Sequence, residues 1–293
     1  MAKDLADRFP AALATLTAID AALGIPLTRI MWEGPEDELQ QTLNTQPAIL
    51  AHSVAVLAAV KDRLGPIAAA AGHSLGEYSA YVAAGTFTAI DAAGVVRRRG
   101  ELMHEAGVAR AGAMVAVLGL ETAKVAEACR AVLDAGEGIA VAANLNAPDQ
   151  TVLSGDPLAV ARAGEFCKAA GAKRVIPLKV SGAFHSPLMA PAGQGLREAL
   201  AAVPARDPSF PVVANANAAP VSTAADAIEL LTDQLTAPVR WVECIRTLDA
   251  LAPGARYIEV GPGTVLGGLL KRIVPGAPYL SLGTADEVER FLG

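Results

Sequence analysis

Aromatic side chains are scarce, at 4% of 293 residues, and only 18% of the chain is charged. So few rings exclude a stacking surface for nucleobases and favour helices packed closely on a sheet over a barrel. Clustered positive charge is missing too. The net charge is −6, and the Arg97-Arg98-Arg99 run is too short for the counterion release that nucleic-acid binding needs. Three well-separated cysteines, Cys129, Cys167 and Cys244, argue against a disulfide framework and against a Cys-x-x-Cys metal site, so no metal is expected. No apolar signal core follows Met1, and the longest apolar run, Ala48 to Val60, is broken by His52 and Ser53 and is short for a bilayer span. The expectation is a cytoplasmic protein with no membrane partner.

What is present is a chain 53% hydrophobic, rich in alanine and glycine, and long enough to bury a large core. Residues 1 to 63 read as helices, with no strand before residue 66, and Pro47 at the first turn of a long apolar helix. A short run, Ile67 to Ala71, leads into "GHSLGEYSA", and another helix spans Ala89 to Ala106. Between residues 112 and 180 the pattern becomes strand (Ala113 to Leu120), helix, strand (Ile139 to Leu145), strand (Thr151 to Ser154), helix, strand (Arg174 to Val180). This order, βαββαβ, is that of a ferredoxin-like unit. The reading is α/β: a core of residues 1–110 and 181–293 with a mostly parallel sheet, and an insert of residues 111–180.

Within the glycine-flanked segment, Gly72, Ser74 and Gly76 have the Gly-x-Ser-x-Gly spacing of a nucleophile elbow, with a short run before and a helix after, as its mechanics require. A serine hydroxyl needs a base. Of the four histidines, His52 sits in an apolar helix, His73 leaves the other side of the turn, and His104 lies near a helix end. His185 is on a loop leaving a strand, where open α/β sheets place their chemistry. No aspartate stands out as a third member, so a Ser-His dyad oriented by a main-chain carbonyl and a full triad both remain open. Arg99 lies at the centre of an apolar stripe formed by Val95, Val96, Leu102 and Met103, while Arg97, about 200° round the helix, faces water beside Glu101. A guanidinium on an apolar face calls for an anion: an acyl substrate with a free carboxylate, or an internal Asp or Glu.

Taken together, "GHSLGEYSA", "RRRGELMHEAG", "NLNAPDQTVLSG", "VSGAFHSPLM" and "IEVGPGTVLGGLLKRI" resemble the malonyl-CoA:acyl carrier protein transacylase family, relatives of polyketide-synthase acyltransferase domains. The resemblance runs along the whole chain. It implies a hydrolase-like core with a ferredoxin-like insert, and a ping-pong transfer of malonyl from coenzyme A through Ser74 to the phosphopantetheine thiol of acyl carrier protein. No resident cofactor is implied, since the coenzyme A thioester and phosphopantetheine are substrates. By matched position His185 is the general acid and base, Arg99 the carboxylate clamp, Gln46 an active-site lining residue, and Gln234 the residue whose carbonyl orients the histidine. Phe184 matches the malonyl-type form of the histidine loop.

One departure accompanies the resemblance. Family members begin with a strand and a "GQGSQ" loop that supplies an oxyanion N–H, whereas "MAKDLADRFP" matches the segment just after it. The expectation is that Met1 is an internal methionine of a longer reading frame, leaving Leu75 N–H as the remaining donor. A weakened or inactive relative and a serine (thio)esterase are the competing readings. Lys168, Lys173, Arg174, Lys179, Lys271 and Arg272 are candidates, by charge alone, for contact with an acidic carrier protein.

Overall fold

The computed structural model describes residues 1–180 and 182–293; Ser181, which opens the expected histidine loop and the second core segment, lies outside the described residues. The chain begins with five helices, α1 (Lys3–Arg8), α2 (Pro10–Leu23), α3 (Leu27–Glu33), α4 (Glu36–Gln40) and α5 (Thr42–Val60). The boundary of α5 differs from expectation, because the helix starts at Thr42 and Pro47 lies inside it. Proline has no N–H, so the Leu43 carbonyl loses its helical donor. Arg97 repairs this from the neighbouring helix: its Nη1 donates to Leu43 O at 3.1 Å while its Nε holds Glu101 at 2.7 Å. With the turn that follows it, this helix runs from Thr42 to Arg63, long and apolar enough by composition to cross a bilayer. It is instead a core helix, 67% buried, and packs on α2 and α7 (Ala89–Ala109).

Helix α6 (Gly76–Ala83) follows the serine turn and precedes α7. Residues Ala113–Pro177 then form β1 (Ala113–Leu118), α8 (Thr122–Asp134), β2 (Ala140–Ala147), β3 (Gln150–Gly155), α9 (Pro157–Ala169) and β4 (Arg174–Pro177). Their sheet is antiparallel with order β2-β3-β1-β4. Alternate inward residues such as Val115, Val117 and Leu153 meet Val125, Val132 and Val160 of the two helices in a core separate from the main one. The last strand is three residues shorter than expected. Leu178 N–H still bonds Met114 O, but Val180 N–H turns back onto Leu178 O at 3.1 Å and ends the ladder.

After a 3₁₀ turn at Pro187–Ala192 come α10 (Gly193–Ala201), β5 (Val212–Val213), β6 (Pro220–Val221), α11 (Ala224–Asp233), α12 (Trp241–Leu251), β7 (Tyr257–Val260), α13 (Val265–Ile273), β8 (Tyr279–Leu282) and α14 (Ala285–Leu292). Parallel pairing in this larger part occurs in pieces: β7 with β8, and a single bridge from Ala70 to Val212. Strand β5 pairs with β6 antiparallel. The run Ile67 to Ala71 carries four alanines, weak strand formers, and shows only that bridge. Between this run and β7 lies a cavity of about 730 Å³, walled by Leu57 of α5, Leu248 of α12 and Leu269 of α13, and reaching Ser74 and Leu75.

The two glycines around Ser74 are not equivalent. A Cβ on Gly72 would lie 1.9 Å from the carbonyl carbon and oxygen of Gly76, whereas a Cβ on Gly76 would meet nothing within 4 Å. Close approach of strand run and helix therefore rests on Gly72 alone. Gly72→Ala should cost about 3 kcal/mol or more and Gly76→Ala less than about 1 kcal/mol in thermal or denaturant unfolding, the reverse order contradicting this geometry.

Candidate active site

Ser74 is held on the turn into α6 with φ of 51°, and His185 also has a left-handed backbone, with φ of 56°. Non-glycine residues adopt this region at a cost, and such strain collects where side chains must be aimed. Here it aims the two at each other: Ser74 Oγ lies 2.7 Å from His185 Nε2. His185 Nδ1 is 2.9 Å from the main-chain oxygen of Gln234, at the C-cap of α11. A carbonyl can only accept, so Nδ1 carries the proton and Nε2 offers its lone pair to the serine hydroxyl. The dyad form, with the Gln234 carbonyl in place of a carboxylate, is therefore the one observed.

Burial, and after it the positive charge of Arg99, pushes the His185 pKa down to about 3. The imidazole is thus neutral and ready to accept a proton across the physiological range. His73 points away from Ser74, as its place in the turn suggested, with Nε2 2.7 Å from Asn146 Oδ1 and its ring edge-on to Trp241. His52 is a core residue bonded to Gly283 O at 2.8 Å, and His104 lies within α7 rather than near its end.

Arg99 is only 1% exposed although it carries a full charge. Among the described residues no Asp or Glu lies within 4.0 Å of it, so the internal ion pair is not formed. Its partners are neutral. Nη1 donates to Gln46 Oε1, and Nη2 to Gln234 Oε1 at 3.0 Å and to Ser74 Oγ at 3.2 Å. The Tyr78 ring lies 5.7 Å from the guanidinium carbon. Gly100 makes the approach possible, since a Cβ there would sit 2.8 Å from Leu43 Cα on α5, the helix that presents Gln46. A guanidinium beside the serine whose direct partners are all neutral has fork geometry of the kind that pairs with a carboxylate.

Leu75 is nearly buried, and among the described residues its N–H has no acceptor, so that donor is free beside the nucleophile. Phe184 packs against the main core and against Met114, Ala143 and Val152 of the smaller unit. All seven residues singled out in the sequence, Gln46, Ser74, Leu75, Arg99, Phe184, His185 and Gln234, thus lie in or beside one site. Three others escaped the sequence reading. Asn215 Oδ1 accepts the Ser74 N–H at 2.7 Å and its Nδ2 donates to Gly72 O at 2.8 Å; Glu77 is fully buried behind both; and Asn146 binds His73. Only Glu77 carried a local signal, an acid directly after the second elbow glycine.

This site sits in a chain whose residues 1–277 match the family described as acyl transferase domain. That match gives the class. A malonyl CoA-acyl carrier protein transacylase of Bacillus subtilis is 44% identical over 290 residues, 99% of this chain and 90% of that protein. The Escherichia coli protein of the same description is 44% identical over 277 residues, 94% of this chain and 88% of that one. Among solved structures, an acyl carrier protein S-malonyltransferase from Vibrio cholerae superposes with a TM-score of 0.94 at 39% identity, covering 99% of this chain and 94% of that one. A complex of a type II polyketide-synthase acyl carrier protein with its malonyl-transacylase gives 0.93 at 40% identity, covering 100% and 94%. The chain belongs to the malonyl CoA-acyl carrier protein transacylase family.

The buried, neutral state of His185 is open to direct measurement. Its imidazole ¹⁵N resonances should show a single neutral tautomer, protonated at Nδ1, from pH 8 down to pH 5; a titration midpoint near 6.5 would overturn the assignment.

Proposed function

We propose that the chain transfers malonyl from malonyl-CoA to the phosphopantetheine thiol of acyl carrier protein through an ester on Ser74. Supporting this most directly is the buried Arg99 guanidinium, partnered only by amides, hydroxyl and ring, 3.2 Å from the serine oxygen. An enzyme for uncharged acyl groups has no use for such a charge.

In the first half-reaction Ser74 Oγ gives its proton to His185 Nε2 and attacks the thioester carbonyl carbon. The oxyanion forms against the Leu75 N–H at the positive end of α6. Collapse breaks the carbon–sulfur bond, and the departing thiolate takes the proton back from His185. In the second half, the pantetheine thiol gives its proton to His185, its sulfur attacks the ester carbonyl, and Ser74 Oγ leaves with that proton. Gln46 and Gln234 hold Arg99 until the malonyl carboxylate takes up the guanidinium fork through parallel hydrogen bonds. Phe184 closes the acyl pocket beside His185. No resident cofactor enters either step: coenzyme A and phosphopantetheine carry the acyl group as substrates.

The larger part is read as a hydrolase-like core, residues 1–110 and 181–293, supported by the serine turn between a parallel-bridged run and a helix. Residues 111–180 are read as a ferredoxin-like insert, supported by their strand order and separate core. For the carrier protein, Lys168, Lys173, Arg174, Lys179 and Lys271 are exposed and lack ion pairs among the described residues, while Arg272 is engaged by Asp149 and Gln150.

Incubation with malonyl-CoA should give a malonyl mass adduct that disappears in Ser74→Ala. Absence of the adduct from the unmodified protein, or hydrolysis with no transfer to acyl carrier protein, defeats the proposal. Arg99→Ala should lower malonyl transfer by about 10²-fold or more while affecting acetyl transfer far less, and an unchanged preference sinks the clamp assignment.

A further inference from the structure

Among the buried ionisable groups that the transfer mechanism leaves unused, one is a carboxyl beside the serine turn. Glu77 is fully buried in the first turn of α6, pointing into the protein beneath the serine turn. A single oxygen, Oε2, accepts both the Asn215 N–H at 2.9 Å and a Gln234 Nε2–H at 2.8 Å; Oε1 has no partner. Burial raises its pKa to about 7. When a proton is bound, the unpartnered Oε1 can carry it, so Oε2 remains an acceptor in both states.

The two donors serve different parts of the site. Asn215 grips the turn where it enters Ser74, through Gly72 O and the Ser74 N–H. The Gln234 amide faces three ways: Nε2 to Glu77 and, at 3.0 Å, to Ser74 O, and Oε1 to Arg99 Nη2. An amide can be turned over with little change of shape, and turned over here it would set an NH₂ group against the guanidinium. Glu77 opposes this together with Ser74 O, since both accept from the nitrogen and the Glu77 contact is the shorter of the two. The amide oxygen is thereby committed to Arg99, and the guanidinium is held aimed at the serine.

We propose that Glu77 is a positioning residue that sets the preference for malonyl over uncharged acyl groups, by locking the orientation of the Gln234 amide and through it the aim of Arg99. The inference rests on the reading of Arg99 as the carboxylate clamp.

Glu77→Met fills a similar volume without an acceptor, and Glu77→Gln returns an acceptor at the Oε2 position. The measurement is the ratio of kcat/KM for malonyl-CoA to that for acetyl-CoA, with acyl carrier protein as acceptor. Glu77→Met should lower this ratio about tenfold, mostly through a raised KM for malonyl-CoA, and Glu77→Gln should keep it within about twofold of the parent. A purely structural role would lower the melting temperature of the methionine variant and leave the ratio of the folded enzyme unchanged, which overturns the proposal. Should Glu77→Met not fold, Glu77→Asp, whose carboxylate is one methylene too short to reach both donors, must show the same loss, and an unchanged ratio there is equally fatal. A parent enzyme with no malonyl preference would defeat the clamp reading and this inference with it, whereas a parent preference that survives in the variant defeats this inference alone.

Discussion

A full positive charge buried beside a serine, with no carboxylate to neutralise it, is the constraint around which this site is organised. Taking a guanidinium out of water costs several kcal/mol unless the surroundings answer it. Here the answer is distributed over two amide oxygens, a hydroxyl and the face of Tyr78, contributed by α5, the C-cap of α11, the serine turn and α6. None of these neutralises the charge. In the proposed reaction each would give way to the substrate carboxylate, which a resident Asp or Glu could not do without leaving its own buried charge. The tight contact of α7 on α5 at Gly100 is the packing side of the same requirement.

The charge also governs the base. A histidine close to Arg99 and nearly buried cannot hold a second positive charge cheaply, so both causes depress its pKa in the same sense. A carboxylate behind the imidazole would work against this, stabilising the protonated ring. The Gln234 carbonyl fixes ring and tautomer with less of that bias. In the proposed reaction a carboxylate paired with Arg99 would offset one of the depressing causes and make His185 a better proton acceptor, so that recognition and base strength would be linked through a single guanidinium.

What the sequence could reveal followed from how local the signals are. Ser74 was legible because the elbow is five residues long, and Arg99 because a charge at the centre of an apolar stripe contradicts the helix around it. The βαββαβ order was legible from alternation and turn residues, with strand ends misjudged by one to three residues and most at β4, where a backbone turn at Val180 stopped the ladder. Pro47 misled because its usual first-turn meaning was overridden by Arg97, a partner more than fifty positions away. Gln46 and Gln234 came only from resemblance, since a glutamine has no pattern of its own. Asn215 was hidden because its partner Glu77 lies 138 residues away, and Glu77, an acid directly after the second elbow glycine, gave only a weak local signal that the sequence reading passed over.

The smaller unit has its own core, yet it reaches the chemistry at two points. Asn146, near the end of β2, holds His73 next to the nucleophile, and Phe184, next to the base, packs on Met114, Ala143 and Val152. The ladder of β2 continues onto the larger part, with Leu145 N–H bonded to Val239 O at 2.9 Å and Val239 N–H to Ala143 O at 2.8 Å. The neighbours of Ser74 and His185 therefore rest on the same small sheet, Asn146 on β2 beside His73, and Met114, Ala143 and Val152 of β1, β2 and β3 beneath Phe184. A displacement of that sheet would act on the neighbours of Ser74 and of His185 together, because both sets of contacts come from it.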